Sequence, residues 1–248
     1  MNSLKFEWKK LLSVKSTWIA ALCTLVSSAL LGLLGISDML TLTPAELPAN
    51  WDPTAESLKG FLFAQLIIGM LGALAITPEY ATGMIGSSVF SVPSRFRLLI
   101  SKTLVVTVFA YITALLTTLL SFWVVQLTLA GVGLPSAQMT DPPVLTALFA
   151  GALYLTLFAL IGLAIGVLTR SSTTSLSVLI GIALIIPALA PALPAWFERF
   201  WPITAGQSSY RVVLIDDALP PAQGMILLAL TVLITWIISQ LMFQRRDI

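Results

Sequence analysis

The sequence predicts an all-α polytopic membrane protein, and three observations carry that reading. Residues of the types AVILMFWYC make up 58% of the 248 and Asp, Glu, Lys and Arg only 10%, against ~25% charged residues in ordinary soluble domains. Mean hydropathy is +0.98. The apolar residues are gathered into six stretches free of Asp, Glu, Lys and Arg, each long enough to cross ~30 Å of hydrocarbon at ~1.5 Å per residue. The stretches are uniformly apolar rather than alternating, so their backbone groups must be satisfied inside helices and not between barrel strands.

Taken in order, the first element is residues 1–16, where Leu4, Trp8, Leu11, Leu12 and Lys15 recur at helical spacing. This predicts a helix on the membrane surface, its apolar side in the headgroup region and Lys5, Lys9 and Lys10 toward anionic lipid. The plainer alternative is a positively charged flank of the first span. Spans are placed at 17–36, 60–77, 104–130, 144–168, 177–193 and 225–243. A secretory signal has an apolar core of ~7 to 15 residues, so the first span, of about twenty, is expected to be retained.

Charge sets the orientation, because Lys and Arg stay on the cytoplasmic side. With the N-terminus inside, ten basic residues fall on inner segments and three, Lys59, Arg199 and Arg211, on outer ones. Both termini are then cytoplasmic. The connections are too short for a further domain of ~50 residues, so 1–248 reads as a single transmembrane domain.

Composition also excludes chemistry. With no histidine and a single cysteine, Cys23, zinc sites of the usual ligand sets, disulfide frameworks and imidazole-dependent triads are closed. A net charge of +2 gives no reason to expect nucleic acid. No phosphate-cradling G-x-x-x-x-G-K-[ST] loop occurs. The chain is expected to be no enzyme and to hold no metal or cofactor of its own.

The inner connection PEYATGMIGSSVFSVPSRFRLLISK, 78–102, has helix punctuation. Thr77 can cap, Pro78 suits the first turn and Glu79 suits the positive end of the dipole. The expectation is a short cytoplasmic helix to about Phe90, broken before Pro93, with Arg95 and Arg97 leading into span three. Met84, Val89, Phe90 and Val92 would form an apolar knob with basic flanks, suited to a protein partner. A helix lying on the bilayer is the alternative.

At the outer end of span five, Pro187, Pro191 and Pro194 remove backbone donors and precede AWFERFWPITAGQSSYRVVLIDD. Trp196, Phe197, Phe200 and Trp201 suit the membrane interface. Within the spans Gln65, Tyr111, Thr113, Thr117, Thr118 and Tyr154 are candidates for lining a path; such residues more often bridge two helices. A path with so few polar groups suits lipophilic or amphipathic cargo. Gly162 and Gly166 form a small-x-x-x-small pair expected to serve internal packing.

Glu79-Tyr80-x-x-Gly83, then Val92-Pro93-Ser94-Arg95 and Lys102, resembles the cytoplasmic signature of the type-2 membrane permeases of ATP-binding cassette (ABC) transporters. The N-terminal surface helix, the six spans and an outer Pro202-x-x-Ala205-Gly206 before span six follow the same layout. One departure is Met84, where that family often has Thr or Ser.

The resemblance implies a multi-pass permease of the bacterial cytoplasmic membrane. It would pair with a second permease, identical or homologous, and carry two cytoplasmic ATPase subunits that hold ATP and Mg. It implies export, with multidrug or antibiotic efflux the commonest case. Glu79, Tyr80, Gly83, Met84, Ser87, Val89, Phe90, Pro93, Arg95 and Arg97 would then couple to the ATPase. Gln65, Tyr111, Thr117 and Tyr154 would be path candidates, with Gln65 nearest the dimer axis. Pro187, Pro191, Trp196, Trp201 and Pro202 would belong to gate helices between spans five and six. The rival expectation is a stand-alone secondary carrier or channel, disfavoured by the absence of intramembrane charge.

Overall fold

The computed structural model describes residues 2–86, 94–213 and 218–245. The described residues contain helices and no strand: α1 (Asn2–Ser13), α2 (Lys15–Ile36), α3 (Pro53–Ser57), α4 (Phe61–Leu74), α5 (Thr77–Ala81), α6 (Arg95–Gly131), α7 (Pro142–Thr169), α8 (Ser172–Leu189), α9 (Ala195–Phe200), α10 (Pro202–Gln207) and α11 (Pro221–Arg245).

Five of these, α2, α6, α7, α8 and α11, are long and apolar enough to cross a membrane. The expected span 60–77 is shorter than the sequence suggested. Its helix α4 has 14 residues, about 21 Å at ~1.5 Å per residue. Pro78 supplies the reason: it lacks the N–H that would bond the Leu74 carbonyl, and the chain turns at Ala75 and Ile76 before α5 begins. Conversely, α6 starts at Arg95 rather than near 104 and runs 37 residues, about 55 Å at ~1.5 Å per residue and longer than ~30 Å of hydrocarbon. Its added turns carry Arg97, Ser101 and Lys102.

The core is built around α4 and α7. A Cβ on Gly162 would overlap the carbonyl oxygen of Gly69, and one on Gly72 would overlap that of Ala159; one on Gly166 would stand 3.1 Å from the Ala73 Cα. Backbone therefore meets backbone, which only small residues allow, and Gly162 and Gly166 do serve packing within the chain. Phe61, Ile68, Tyr154, Leu155, Phe158, Leu179 and Leu228 fill the surrounding space. Outside this core α6 leaves an apolar stripe uncovered, Leu104, Val108, Ile112, Leu116 and Leu120 at every fourth residue.

α8 is not a uniform helix. Gly181–Ile185 forms a π turn directly before Pro187, as expected where a proline removes a donor and its ring displaces the preceding carbonyls.

Candidate functional site

The face expected to be the inner one gathers around α5 and its flanks. Thr77, Glu79 and Lys102 are buried, with Lys102 2% and Glu79 3% exposed. Lys102 Nζ donates to Glu7 Oε2 at 2.7 Å and to Glu79 Oε1. Lys10 Nζ reaches the same Glu79 oxygen at 2.9 Å. Two carboxylates and two ammonium groups thus form a charge-balanced cluster joining α1, α5 and α6. Paired charge is the form in which burial of ionic groups is tolerable. The second oxygens, Glu7 Oε1 and Glu79 Oε2, are buried without a hydrogen-bond partner, beside a cavity of about 130 Å³ that Leu74, Pro78, Met84 and Val106 help to line.

Other bonds tie the same segment to the remaining helices. The hydroxyls of Thr77 and Ser172 lie 2.9 Å apart, linking α5 to the start of α8. The Arg170 guanidinium stacks over the Tyr80 ring at 5.2 Å, a cation–π contact from the end of α7. Arg95 Nη1 donates to the carbonyls of Phe243 and Gln244 at 3.4 and 3.3 Å, where the last carbonyls of α11 lack helical partners and the dipole favours a cation.

The structure changes several expectations here. Thr77 does not cap; Ile76 is the N-cap, with no side-chain cap bond, and the Thr77 hydroxyl goes to Ser172. The continuous helix expected from 77 to about 90 is broken after α5. Gly83 has φ +69° and follows the C-cap Thr82, the place where a left-handed residue ends a helix. Helix resumes at 84–86, leaving Met84 48% exposed and Ile85 buried. Ser87, Val89, Phe90 and Pro93 lie outside the described residues. Arg97 and Phe96 are exposed on α6. Lys10, expected to face lipid, turns inward to Glu79, while Leu11 packs on Leu71, Val105 and Phe109. α1 is thereby fixed to the bundle by one face.

At the opposite end, expected to be the outer one, α9 and α10 fold between α8 and α11. Trp201 donates its indole N–H to the Ile182 carbonyl at 3.1 Å, an acceptor inside the π turn, and Phe197 stacks on Trp201 at 5.5 Å. Pro202 opens α10. Pro187 opens the last turn of α8, and Pro191 sits in the turn Ala190–Ala192. Trp196 is 64% exposed. α10 then enters the bundle: a Cβ on Gly206 would press on Leu228 and Tyr154, and Tyr210 meets Tyr154 and Phe61 edge-on at 5.4 and 5.3 Å. Asp52 ties this region to the first outer loop. Its Oδ1 accepts from the N–H groups of Thr54 and Ala55, and its Oδ2 from those of Val212 and Val213 at 2.7 and 2.9 Å.

An amphipathic N-terminal helix, apolar spans, a buried Glu–Lys cluster under the inner loop and short helices before the last span together narrow the choice of family. The model of the ABC-2 family transporter proteins matches residues 3–190, about three quarters of the chain.

The chain belongs to the ABC-2 transporter family.

The comparison with curated proteins gives no match. The matched range takes in the inner cluster in full, and the chain is accordingly a membrane protein of an ABC transporter family with several apolar helices. For an ABC-2 chain, the residues expected to line a path are distributed in an informative way. Gln65 and Tyr154 come together, fully buried, and the Tyr154 hydroxyl donates to Gln65 Oε1. Gln65 Nε2 donates back to the Leu62 carbonyl at 3.1 Å. Thr117 is buried and bonds the carbonyl of Thr113 in its own helix at 2.8 Å. Tyr111 is half-buried against the core. None of these four lines the cavities of about 490, 130 and 610 Å³ found at α1 and α6, beside the ion cluster, and along α9 and α10.

Sequence reasoning gave no role to Glu7, Asp52, Gln126, Arg170 or Ser172. Gln126 donates to the Pro53 carbonyl and the Ser57 hydroxyl, both at 2.8 Å, and accepts from the Ala137 N–H at 2.7 Å, holding α3 to the outer end of α6. Arg170 and Ser172 lie between two apolar stretches and Gln126 lies inside one, whereas nothing local marked Glu7 or Asp52.

Proposed function

We propose that this ABC-2 family chain is the membrane-spanning permease subunit of an ATP-driven exporter. It works as a pair with a second permease copy, with six crossings per chain when α4 and its flanks count as the short one. Two copies of a separate ABC ATPase, which hold ATP and Mg, bind on the cytoplasmic side. The cargo is lipophilic or amphipathic, a drug, antibiotic, peptide or lipid, in keeping with the apolar spans. The membrane is the bacterial cytoplasmic membrane, in keeping with the inward bias of Lys and Arg.

The observation that carries this reading is that the segment 77–82 is bonded at once to α1, α6, α7 and α8, through Lys10, Lys102, Arg170 and Ser172. A push delivered to the exposed neighbours Gly83 and Met84 reaches four helices through two ion pairs, a hydroxyl–hydroxyl bond and a cation–π contact. Such a junction is what a chain without its own phosphate-binding loop requires in order to take energy mechanically. Glu79 and Tyr80 transmit from inside the junction, while Gly83, Met84 and Arg97 are the described residues that meet the partner, continuing into 87–93. The gate is formed by α9 and α10, held to α8 by Trp201.

Mild-detergent purification of the tagged chain from its native membrane, with identification of co-purifying proteins, tests the reading. A Walker-type ATPase in equal copies with the permease is expected. Recovery of this chain alone, under conditions that keep a control transporter intact, would instead favour a stand-alone carrier.

A further inference from the structure

The face of α1 opposite the ion cluster forms a groove against α6. It has a volume of about 490 Å³ and is lined by Leu4, Lys5, Trp8, Lys9, Leu104, Val105 and Val108. On α1 these residues fall at i, i+1, i+4 and i+5, and on α6 at i, i+1 and i+4, so one stripe from each helix forms a wall. The groove opens onto the uncovered α6 stripe of Ile112, Leu116 and Leu120. From Leu104 to Leu120 that lane is about 24 Å long at ~1.5 Å per residue. It is continuous, apolar and directed away from the charged end of the molecule.

The four lysines around α1 divide into two kinds. Lys10 and Lys102 are spent on Glu7 and Glu79. Lys5 and Lys9 are exposed and have no carboxylate within ion-pair distance among the described residues. They stand at the mouth of the groove, with Trp8 between them. The buried cluster also matters to the groove, because it pins α1 from behind and fixes the spacing of the walls.

We propose that this groove binds an anionic phospholipid of the inner leaflet, one acyl chain lying on Leu104, Val108, Ile112 and Leu116 and the phosphate held by Lys5 and Lys9. The charge decides the occupant: two cations with no ion-pair partner among the described residues, beside a hydrocarbon lane, complement a molecule with one anionic end and a long apolar tail. A second copy of this chain, by contrast, would bring Lys5 and Lys9 toward its own basic α1. The lipid site needs no ATPase and stands independently of the coupling role.

The test is brominated-lipid quenching of Trp8. The full chain is reconstituted in phosphatidylcholine bilayers that contain a small fraction of either dibrominated phosphatidylglycerol or dibrominated phosphatidylcholine. The signal of Trp8 is taken as wild type minus Trp8→Phe. At equal mole fraction, a preference of roughly fivefold or more for phosphatidylglycerol is expected, and Lys5→Gln with Lys9→Gln should abolish it. Equal quenching by the two headgroups, or a preference that survives the double variant, overturns the proposal. So does the absence of Trp8 quenching with disulfide formation between Leu4→Cys copies, which would assign the groove to a second chain. If Trp8→Phe fails to fold, native mass spectrometry of wild type and the lysine variant reads the same question: phosphatidylglycerol retained by the first and not the second supports the site, and equal retention overturns it.

Discussion

Lys102 and Glu79 are separated by 23 positions in the chain and meet as a buried ion pair, with Glu7 completing the grip on the same ammonium group. Removing Lys102 leaves two buried carboxylates to share Lys10, which is 24% exposed. Lys102→Met should therefore destabilise the chain by about 3–5 kcal/mol, the range for breaking a buried pair. Glu79→Gln should cost less, since Lys102 keeps Glu7. Thermal unfolding in detergent should rank the variants in that order, and the reverse order would mean that Glu79 is the hub.

The backbone contact of α4 with α7 makes a second prediction. Gly162→Ala puts a methyl into the Gly69 carbonyl, and the helices must separate; overpacking of this kind costs about 1–3 kcal/mol. Gly131→Ala is the control, because a Cβ there meets nothing within 4 Å. It should be neutral or slightly stabilising, and equal losses at both positions would dispose of the packing argument.

How much of this was legible follows from what each residue depends on. The apolar stretches announced their helices because hydrocarbon leaves few alternatives, and the punctuation by prolines placed the irregular end of α8 correctly. The early stop of α4 was also written in the sequence, since Pro78 cannot serve the Leu74 carbonyl, yet uninterrupted hydropathy up to Thr77 concealed it. Gly83 belonged to the recognised signature, but its use as a helix terminator depends on φ +69°, which a motif does not report. The ion cluster was least legible. Lys10 read as facing anionic lipid, Glu79 as an ATPase contact and Lys102 as part of the signature, and Glu7 had no role; their partnership requires α1 to fold back on α6, a tertiary fact with no local pattern.

Gln65 and Tyr154 offer a third prediction that separates bridging from cargo contact. Gln65→Leu removes the acceptor of a buried hydroxyl, whose other partner, Gln207 Nε2 at 3.5 Å, is itself a donor, and should cost about 1–3 kcal/mol. Adding Tyr154→Phe should recover most of that loss, because it removes the stranded hydroxyl and gives up only the long bond from Gln207. If the pair is only a bridge, the double variant transports the same range of cargo as wild type. A changed cargo range in a stable double variant would return Gln65 to the path.

Asp52 gives a fourth. Its carboxylate accepts four backbone N–H groups from two outer segments, and it is 6% exposed. Asp52→Ala strands those donors and should cost at least ~1.5 kcal/mol, the low end for a hydrogen bond to a charged group. The loss should be local as well as global, with faster hydrogen exchange at Val212 and Val213 and little change in the inner cluster. Uniform exchange across the chain would show that the outer tie does not act as a unit.

Arg95 and Arg97, two residues apart on α6, should behave differently although both were expected to face the ATPase. Arg95 is committed to the end of α11 through the carbonyls of Phe243 and Gln244; Arg97 projects from the surface. Reversing Arg95 to Glu places an anion against the negative end of a helix, a penalty of about 0.3–1 kcal/mol before the lost hydrogen bonds are counted. Reversing Arg97 to Glu breaks no ion pair among the described residues and is expected to act on what docks there. Arg97→Glu should thus lower ATPase co-purification at unchanged thermal stability, and Arg95→Glu should lower the stability as well. Full ATPase recovery with Arg97→Glu, combined with Gly83→Trp, would move the docking surface away from the end of α5.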